Sequence, residues 1–598
     1  LGNDRVYGNF TADYKINDNL NVTWRIGEDV NATSIKIWNA MAKPDDGSPN
    51  STKQDIFGNV IEQSSRQKEL NSDLTLNYTK RLNDTWEIGG IAGWNVNSRY
   101  FKRHTSEVTS LDIPNFYNLA NSSEDPQADT YIEKRRLYGI YGQAEVAFND
   151  YLFLTMTARN DWSSTLPEDN NSFFYPGATI GFILSDAVPA IQDFSDYMKL
   201  RVAWGRTGND AQPYLINSVI IPSNVRFGFG EFNFPLGGVN AFEVSNLIGN
   251  PNLEPEITTE FELGADFRFL NNRLGIDFAY YDRTTDGQIF QVPLASSTGY
   301  RSQTLNFGEV TNKGVELQLK GTPIKTNDFR WDITYTFAKN NNEVVKLPEG
   351  LDQVVINGAY GIDFVAEEGK PIGVYYGEVA KTTEDGKIIV NSNGIPKTAE
   401  NKEEYGTAER DYTMGLNNSF TYKDFNLGFS VDYRKGGVMY AYTARINYFV
   451  GNATKTTYND REPFIVPNSV QEFDTDGDGI PDTYVENTAQ IDRANIFTYW
   501  NQTDNNMMSQ EHVLDKTFLK LRDVTFSYNL PDKWFSKTPI STASFGLYGR
   551  NLLIWTPEEN NFVDPEMSTF GNDLFGAFGE FAGAPTARSF GFNLNVTF

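Results

Sequence analysis

The sequence predicts an all-β fold, a transmembrane up-and-down antiparallel β-barrel, and three features of the chain predict it. Apolar and polar residues alternate with a period of two. Short and long connections between the alternating segments take turns. No run of apolar residues is long enough to cross a bilayer as a helix, although 14% of the 598 residues are aromatic.

The chain's ending, SFGFNLNVTF, shows the period plainly. Phe590, Phe592, Leu594, Val596 and Phe598 fall on one face of a strand, and Ser589, Gly591, Asn593, Asn595 and Thr597 on the other. Phe425 to Arg434 and Leu274 to Tyr280 read the same way. This template predicts strands over 6–16, 20–30, 58–82, 85–109, 131–148, 152–164, 173–187 and 199–210. It continues over 257–270, 274–290, 308–324, 329–346, 412–423, 425–443, 515–530, 540–556 and 585–598, about seventeen in all.

Tight connections at Asn17 to Asn19, around Asn83, at Asn149 to Tyr151, Asn271 to Arg273, Lys325 to Asp328 and around Lys423 use residues that tolerate turn geometry, while 188–198 and 531–539 are somewhat longer but compact. The alternate connections are longer: 31–57, 110–130, 165–172, 211–256, 291–307, 347–411, 444–514 and 557–584. A soluble sandwich has no reason to sort its loops by parity. An outer-membrane barrel does, with short turns on the periplasmic side and long loops outside, and its closed ladder satisfies every backbone amide in lipid. Trp24, Trp86, Trp331 and Trp534 near the short turns, and Trp162 and Trp555 near the long-loop ends, fit two interfacial girdles; their alternative reading is ordinary core packing.

If the last strand runs inward, so does the first, and the count is odd. Single-chain bacterial barrels are even-numbered, so residues 1–598 are expected to be most of a barrel of about twenty-two strands, with the N-terminal extension, plug and first strands outside this chain. The opening at Leu1, close to strand pattern, reads as a mature or truncated product.

Composition narrows function. The chain has no cysteine, so thiolate chemistry is excluded, and only His104 and His512 could supply imidazole. A formal charge of −27 repels phosphate backbones, so nucleic acid is not an expected partner.

Several stretches resemble one family, the SusC/RagA-type TonB-dependent outer-membrane transporters of Bacteroidetes. They are ARNDWSST (Ala158 to Thr165), MKLRVAWGRTGND (Met198 to Asp210), NPNLEPEITTEFELGADF (Asn250 to Phe267), YYDRTTDGQIF (Tyr280 to Phe290), TNKGVELQL (Thr311 to Leu319), FLKLRDVTFSYNLP (Phe518 to Pro531), LYGRNLLIWT (Leu547 to Thr556) and VDPEM (Val563 to Met567). The resemblance implies uptake of oligosaccharides or peptides across the outer membrane of a Gram-negative cell, with a SusD-like surface lipoprotein as lid. It implies energy from TonB, coupled through an N-terminal region that cannot be mapped onto any residue here. It also implies that Phe598 is the terminal aromatic read by the barrel-assembly machinery; the plainer reading is a side chain facing outer-membrane lipid.

The sharpest local motif is FDTDGDGIPDTY, Phe473 to Tyr484, in the long loop 444–514. Asp474, Asp476 and Asp478 stand at positions one, three and five of a calcium loop, Gly479 at six, Ile480 with its carbonyl at seven and Asp482 at nine. Val485 occupies the place of an EF-hand's bidentate glutamate, so the spacing is closer to the DxDxDGxxD loops of thrombospondin type 3 and dockerin repeats. Ca2+ clamping the loop is the expectation, against a solvated acidic turn. Two Gly/aromatic loops, Arg226 to Gly238 and Phe570 to Gly583, offer Phe227, Phe229, Phe232, Phe234, Phe575, Phe578 and Phe581 for stacking on sugars or against a lid, or for packing on one another. No catalytic set emerges: Glu558 and Glu559 are adjacent rather than across a cleft, and neither a GKS/T phosphate loop nor a GxSxG elbow occurs.

The leading expectation is therefore an importer barrel and not an enzyme. The alternatives are an accessory outer-membrane barrel serving as scaffold in a larger envelope complex, and a secreted multidomain β protein such as a glycan-binding adhesin. The alternating loop lengths speak against the last.

Overall fold

Seventeen strands of the computed structural model belong to one sheet, and each overlaps one of the seventeen segments read from the sequence, with β2 running nine residues past its expected end at 30. The structure describes residues 1–42, 56–223, 225–227, 230–232, 234, 236–306, 308–348, 350–501, 505–569, 571 and 573–598. In chain order the sheet strands are β1 (Gly2–Asn17), β2 (Leu20–Asn39), β3 (Asn59–Arg81), β4 (Trp86–Thr109), β5 (Gln127–Phe148), β6 (Leu152–Ser163), β7 (Ser172–Ile183), β8 (Tyr197–Asn209) and β9 (Glu256–Phe269). They continue with β10 (Leu274–Asp286), β11 (Glu309–Lys325), β12 (Phe329–Lys346), β13 (Tyr412–Tyr422), β14 (Phe425–Lys435), β15 (Phe518–Asn529), β16 (Thr542–Trp555) and β17 (Ser589–Thr597).

The chain divides into two compact units. The first comprises Leu1–Gly181, Ala203–Thr259 and Gly287–Asn306. Within it each of β1 to β5 pairs antiparallel with its successor. The β3–β4 ladder runs unbroken from Asn59 opposite Thr109 to Arg81 opposite Glu87. A strand of 24 residues such as β4 spans roughly 80 Å, far more than a bilayer's hydrocarbon even at barrel tilt. These strands must continue well past the lipid.

Register decides what each face meets. Trp24 lies opposite Leu74, Leu74 opposite Trp94, and Trp94 opposite Ile140, one unbroken apolar band whose members are exposed. The other face is a hydrogen-bonded polar network. Asn95 Nδ2 donates to Asn71 Oδ1 at 3.0 Å and Asp73 Oδ1 at 2.9 Å, Arg159 bonds Asp161, and the Tyr175 hydroxyl donates to Asp161. A Cβ at Gly139 would overlap the Arg159 guanidinium, and one at Gly93 would overlap the Tyr141 ring. The missing side chains are what let these polar groups lie flat on the sheet.

The second unit comprises Phe182–Val202, Glu260–Asp286 and Phe307–Phe598. Within it β10 to β17 again pair successively. A polar side chain on its apolar face is satisfied locally: Asn418 Oδ1 accepts from Trp331 Nε1 at 3.1 Å, and the indole stacks on Phe420. Trp331 is thus half-buried, whereas Trp24, Trp86, Trp162, Trp534 and Trp555 are exposed.

The tight turns use the expected residues. Asn149 and Asp150 (φ 51° and 58°), Asn271 and Asn272 (59° and 60°) and Lys423 (51°) all adopt the left-handed conformation. Three strands end earlier than read from the sequence, the first of them 173–187, which stops at Ile183 where Leu184–Ala187 turns helical. The segment 425–443 stops at Lys435 because Gly436 and Gly437 adopt φ of 78° and 83°, after which Tyr442–Phe449 is helical. The segment 274–290 stops at Asp286, before Gly287 at φ 67°.

The long connections of the second unit fold into structure of their own. Gln353–Ala359, Ile362–Glu367, Val374–Gly377 and Glu403–Thr407 form a four-stranded sheet. Val438–Ala441 joins Val513–Asp515 and Gly579–Glu580, and Ile388–Val390 pairs in parallel with Ser469–Phe473, which pairs with Thr483–Glu486.

Candidate functional site

The chemistry that the chain concentrates lies in these long connections and at the strand ends that carry them. Phe364, Tyr375, Tyr440 and Phe578 are fully buried together, with Phe578 stacked on Tyr440 at 5.3 Å between centroids and on Tyr375 at 5.9 Å. The Tyr375 hydroxyl donates to the Phe578 carbonyl at 2.6 Å, so a residue of 557–584 is fixed to one of 347–411. Phe578 therefore folds the loops instead of presenting a face, which corrects its place among the candidate contacts. Phe581 packs half-buried on Tyr440 and Tyr442, while Phe575 is exposed.

Of the other aromatic loop, Phe234 is half-buried and Phe229 lies outside the described residues. The backbones of Phe227 and Phe232 sit in a two-stranded hairpin, Val225–Phe227 with Gly230–Phe232; their side chains lie outside what the structure describes.

The VDPEM segment is seated by charge. Lys520 Nζ on β15 contacts Asp564 Oδ1 at 2.6 Å and Glu566 Oε2 at 2.5 Å, and Arg522 grips both Glu566 oxygens at 2.6 Å while its Nε reaches Asp432 of β14 at 2.6 Å. Arg522 can do this because the β14 and β16 registers both shift at its position, a bulge that re-aims its side chain. Burial pushes the Glu566 carboxyl up, but Arg522 and Lys520 outweigh it and hold the group down at about 2. Lys520 and Asp564 are nearly enclosed, so each charge depends on the other. The sequence signal for this seat was a KLR triplet and a DPE triplet more than forty residues apart, which periodicity cannot connect.

The acidic loop brings together three of its expected ligands. One carboxylate oxygen from each of Asp474, Asp476 and Asp478 lies within 4.8 Å of the others. Asp474 accepts the N–H groups of Gly477 (2.6 Å) and Gly479 (2.8 Å), which hold its carboxyl below the usual range, and both glycines adopt positive φ. Asp482 stands apart, with both oxygens accepting from the Thr475 hydroxyl at 2.8 and 2.6 Å. Ile480 is 68% exposed, and its N–H goes to Asp478. Three hard oxygens at this spacing suit calcium; nine-position ligation would require Asp482 to leave Thr475.

The two histidines offer no acid–base pair. His104 Nδ1 bonds Thr130 Oγ1 at 2.9 Å, and His512 is fully buried against the Tyr448 ring, where burial pushes it down to about 3 and keeps it neutral. On the polar face of the second unit, Arg201, Asp277, Glu316, Gln318 and Thr336 line a cavity of about 480 Å³. Phe598 is 82% exposed, in phase with exposed Phe590, Phe592 and Leu594.

Comparison with known proteins bears on this arrangement. A family model described as "TonB dependent receptor-like, beta-barrel" matches residues 2–373. TonB-dependent receptor P3 of Formosa agariphila is 26% identical over 519 residues, covering 81% of this chain and 48% of that protein. TonB-dependent receptor SusC of Bacteroides thetaiotaomicron is 30% identical over 323 residues, 50% of this chain and 31% of its own length. The structure of the RagAB peptide transporter superposes with a TM-score of 0.75 at 18% identity, over 100% of this chain and 62% of that one, a likeness of fold. The chain spans about half the length of the Formosa receptor it matches.

Proposed function

The chain belongs to the TonB-dependent receptor-like β-barrel family, an outer-membrane family, and from that premise we propose that it is the wall and loop layer of an importer. The cargo is an oligosaccharide or a peptide, TonB supplies the energy, and a SusD-like lipoprotein covers the long-loop side. The observation that supports this most directly is that alternate connections fold into a packed layer around Phe364, Tyr375, Tyr440 and Phe578, pinned to β15 through Asp564 and Glu566. Connectors need no such core. A surface that receives a lid or a ligand does, because it has to hold its shape before the partner arrives.

In this reading Phe575, Phe581 and Phe234 belong to the receiving surface, Phe598 ends the strand offered to the barrel-assembly machinery, and calcium held by Asp474, Asp476 and Asp478 stiffens the loop 444–514. The test is uptake. Cells carrying the complete gene are given fluorescent oligosaccharide and peptide pools, with and without a functional TonB, and the protein is purified in mild detergent to see whether a surface lipoprotein comes with it. TonB-dependent accumulation of one pool is the expected result. Equal accumulation of both pools without TonB overturns the proposal.

A further inference from the structure

Three cations of the second unit face a common space, each without a carboxylate in direct contact among the described residues. Arg410, Arg434 and Lys516 line a cavity of about 410 Å³, whose other lining residues include Glu409, Glu566 and Asp573. Among the described residues none of the three cations forms an ion pair. Arg434, on the polar face of β14, is aimed by carbonyls: its Nε donates to Gly436 O at 3.3 Å and its Nη2 to Ala408 O at 3.2 Å. The acids nearby are engaged elsewhere. Glu566 is taken by Lys520 and Arg522, Asp573 accepts the Gly576 N–H at 2.8 Å, and Glu409 accepts from Asn340 Nδ2 at 3.3 Å while burial raises its carboxyl.

In a chain of net charge −27, cations left in this state are conspicuous. Enclosure, and then the repulsion of Arg434 and Arg410, lower Lys516 to about 8 and outweigh the opposing pull of Glu566. An entering anion would remove that repulsion. The guanidinium fork of a positioned arginine matches the two oxygens of a carboxylate, and a space of this size accepts one sugar ring or one to two amino-acid residues.

We propose that this cavity binds a carboxylate group of the cargo, through Arg410, Arg434 and Lys516. The proposal rests on the import reading only in calling the ligand cargo. A peptide's C-terminal carboxylate and the carboxylate of an acidic sugar present the same chemistry, and the experiment separates them.

Protein expressed from the complete gene and purified in detergent is titrated with triglycine, triglycine amide, a glucuronate-containing disaccharide and its neutral glucose counterpart, using ligand-observed NMR and calorimetry. At least one acid binds, its uncharged counterpart binds on the order of tenfold more weakly, and the affinity falls as salt rises. Binding of triglycine alone assigns the peptide carboxylate, and binding of glucuronate alone the sugar acid. Arg410→Gln, at an exposed position, and Lys516→Met each weaken the acid by a similar factor, with retained heat-dependent gel migration showing that the barrel is intact. Absence of binding by either acid at millimolar concentration, equal binding of acid and uncharged counterpart, or unchanged binding by both variants overturns the proposal; the first result is also the one expected if another part of the full-length protein neutralises the cations. Binding retained while TonB-dependent uptake fails sinks the import reading and leaves this site standing.

Discussion

The wall strands β2 to β6 and the loop layer around Phe578 use the same aromatic-rich vocabulary in opposite ways. In the wall, Leu74, Leu76, Trp94 and Ile140 are exposed on one face while Asn71, Asp73, Asn95 and Arg159 bond one another on the other. In the loops, Phe364, Tyr375, Tyr440 and Phe578 are enclosed. The loop layer is ordered like a water-soluble protein and the wall is turned inside out, which is what two different solvents require. The chain's mean hydropathy of −0.47 averages the two and so hides both.

That contrast breaks most readily at the loop core. Phe578→Ala should cost the loop layer about 3–5 kcal/mol. Limited trypsin digestion at Lys381, Lys387 or Lys397 should then accelerate while the wall keeps its heat-dependent gel migration. Loss of both together would mean that wall and loops are not energetically separate.

The wall is tested by charge. Leu76→Arg, on the apolar face, should lower folding stability by about 2–4 kcal/mol in lipid vesicles, while Thr75→Arg, one residue away on the polar face, should cost much less. Equal losses in a urea titration would remove the distinction between the faces.

The seat of VDPEM comes next. Glu566→Gln leaves Lys520 to Asp564 and Arg522 to Asp432, so a loss of about 1–3 kcal/mol is expected in the same digestion assay. Because the Glu566 carboxyl is held below its ordinary value of 4.5, its contribution is present above that pH and disappears as pH falls through about 2. Cleavage within 557–584 by an acid protease should therefore rise across that window in the parent and stay flat in Glu566→Gln.

The smallest effect concerns calcium. Titration at millimolar calcium should show binding that Asp476→Asn weakens, with slower proteolysis of 444–514 when calcium is present. No heat of binding would leave an acidic turn and nothing more.

What the sequence made legible follows the same division. All seventeen wall strands were readable because each follows a period of two and the connections between them alternate, with most of the short ones written in Asn, Asp and Lys. The loop sheets were not, since Ile388–Val390 finds Ser469–Phe473 about eighty residues away and strands of three to five residues carry no periodicity. Of the three strands read too long, one gave way to the short helix Leu184–Ala187 and two were stopped by Gly287 and by Gly436 with Gly437, whose left-handed backbone is a matter of conformation and not of pattern. The acidic loop was legible as a motif, but the preference of Asp482 for the Thr475 hydroxyl was not. Lys520, Arg522 and Glu566 lie in stretches that stand out only by family resemblance, and their joining depends on a bulge that composition does not signal.

In the wall, neighbouring residues of one strand meet lipid and water in turn. The chain contains no cysteine, so single cysteines at positions 73 to 78 of β3 can each carry a fluorophore in proteoliposomes without background labelling. A lipid-dissolved nitroxide should quench positions 74, 76 and 78 and spare 73, 75 and 77, and aqueous iodide should do the reverse. Quenching without a period of two, or exclusion of the lipid probe from every position, would contradict it.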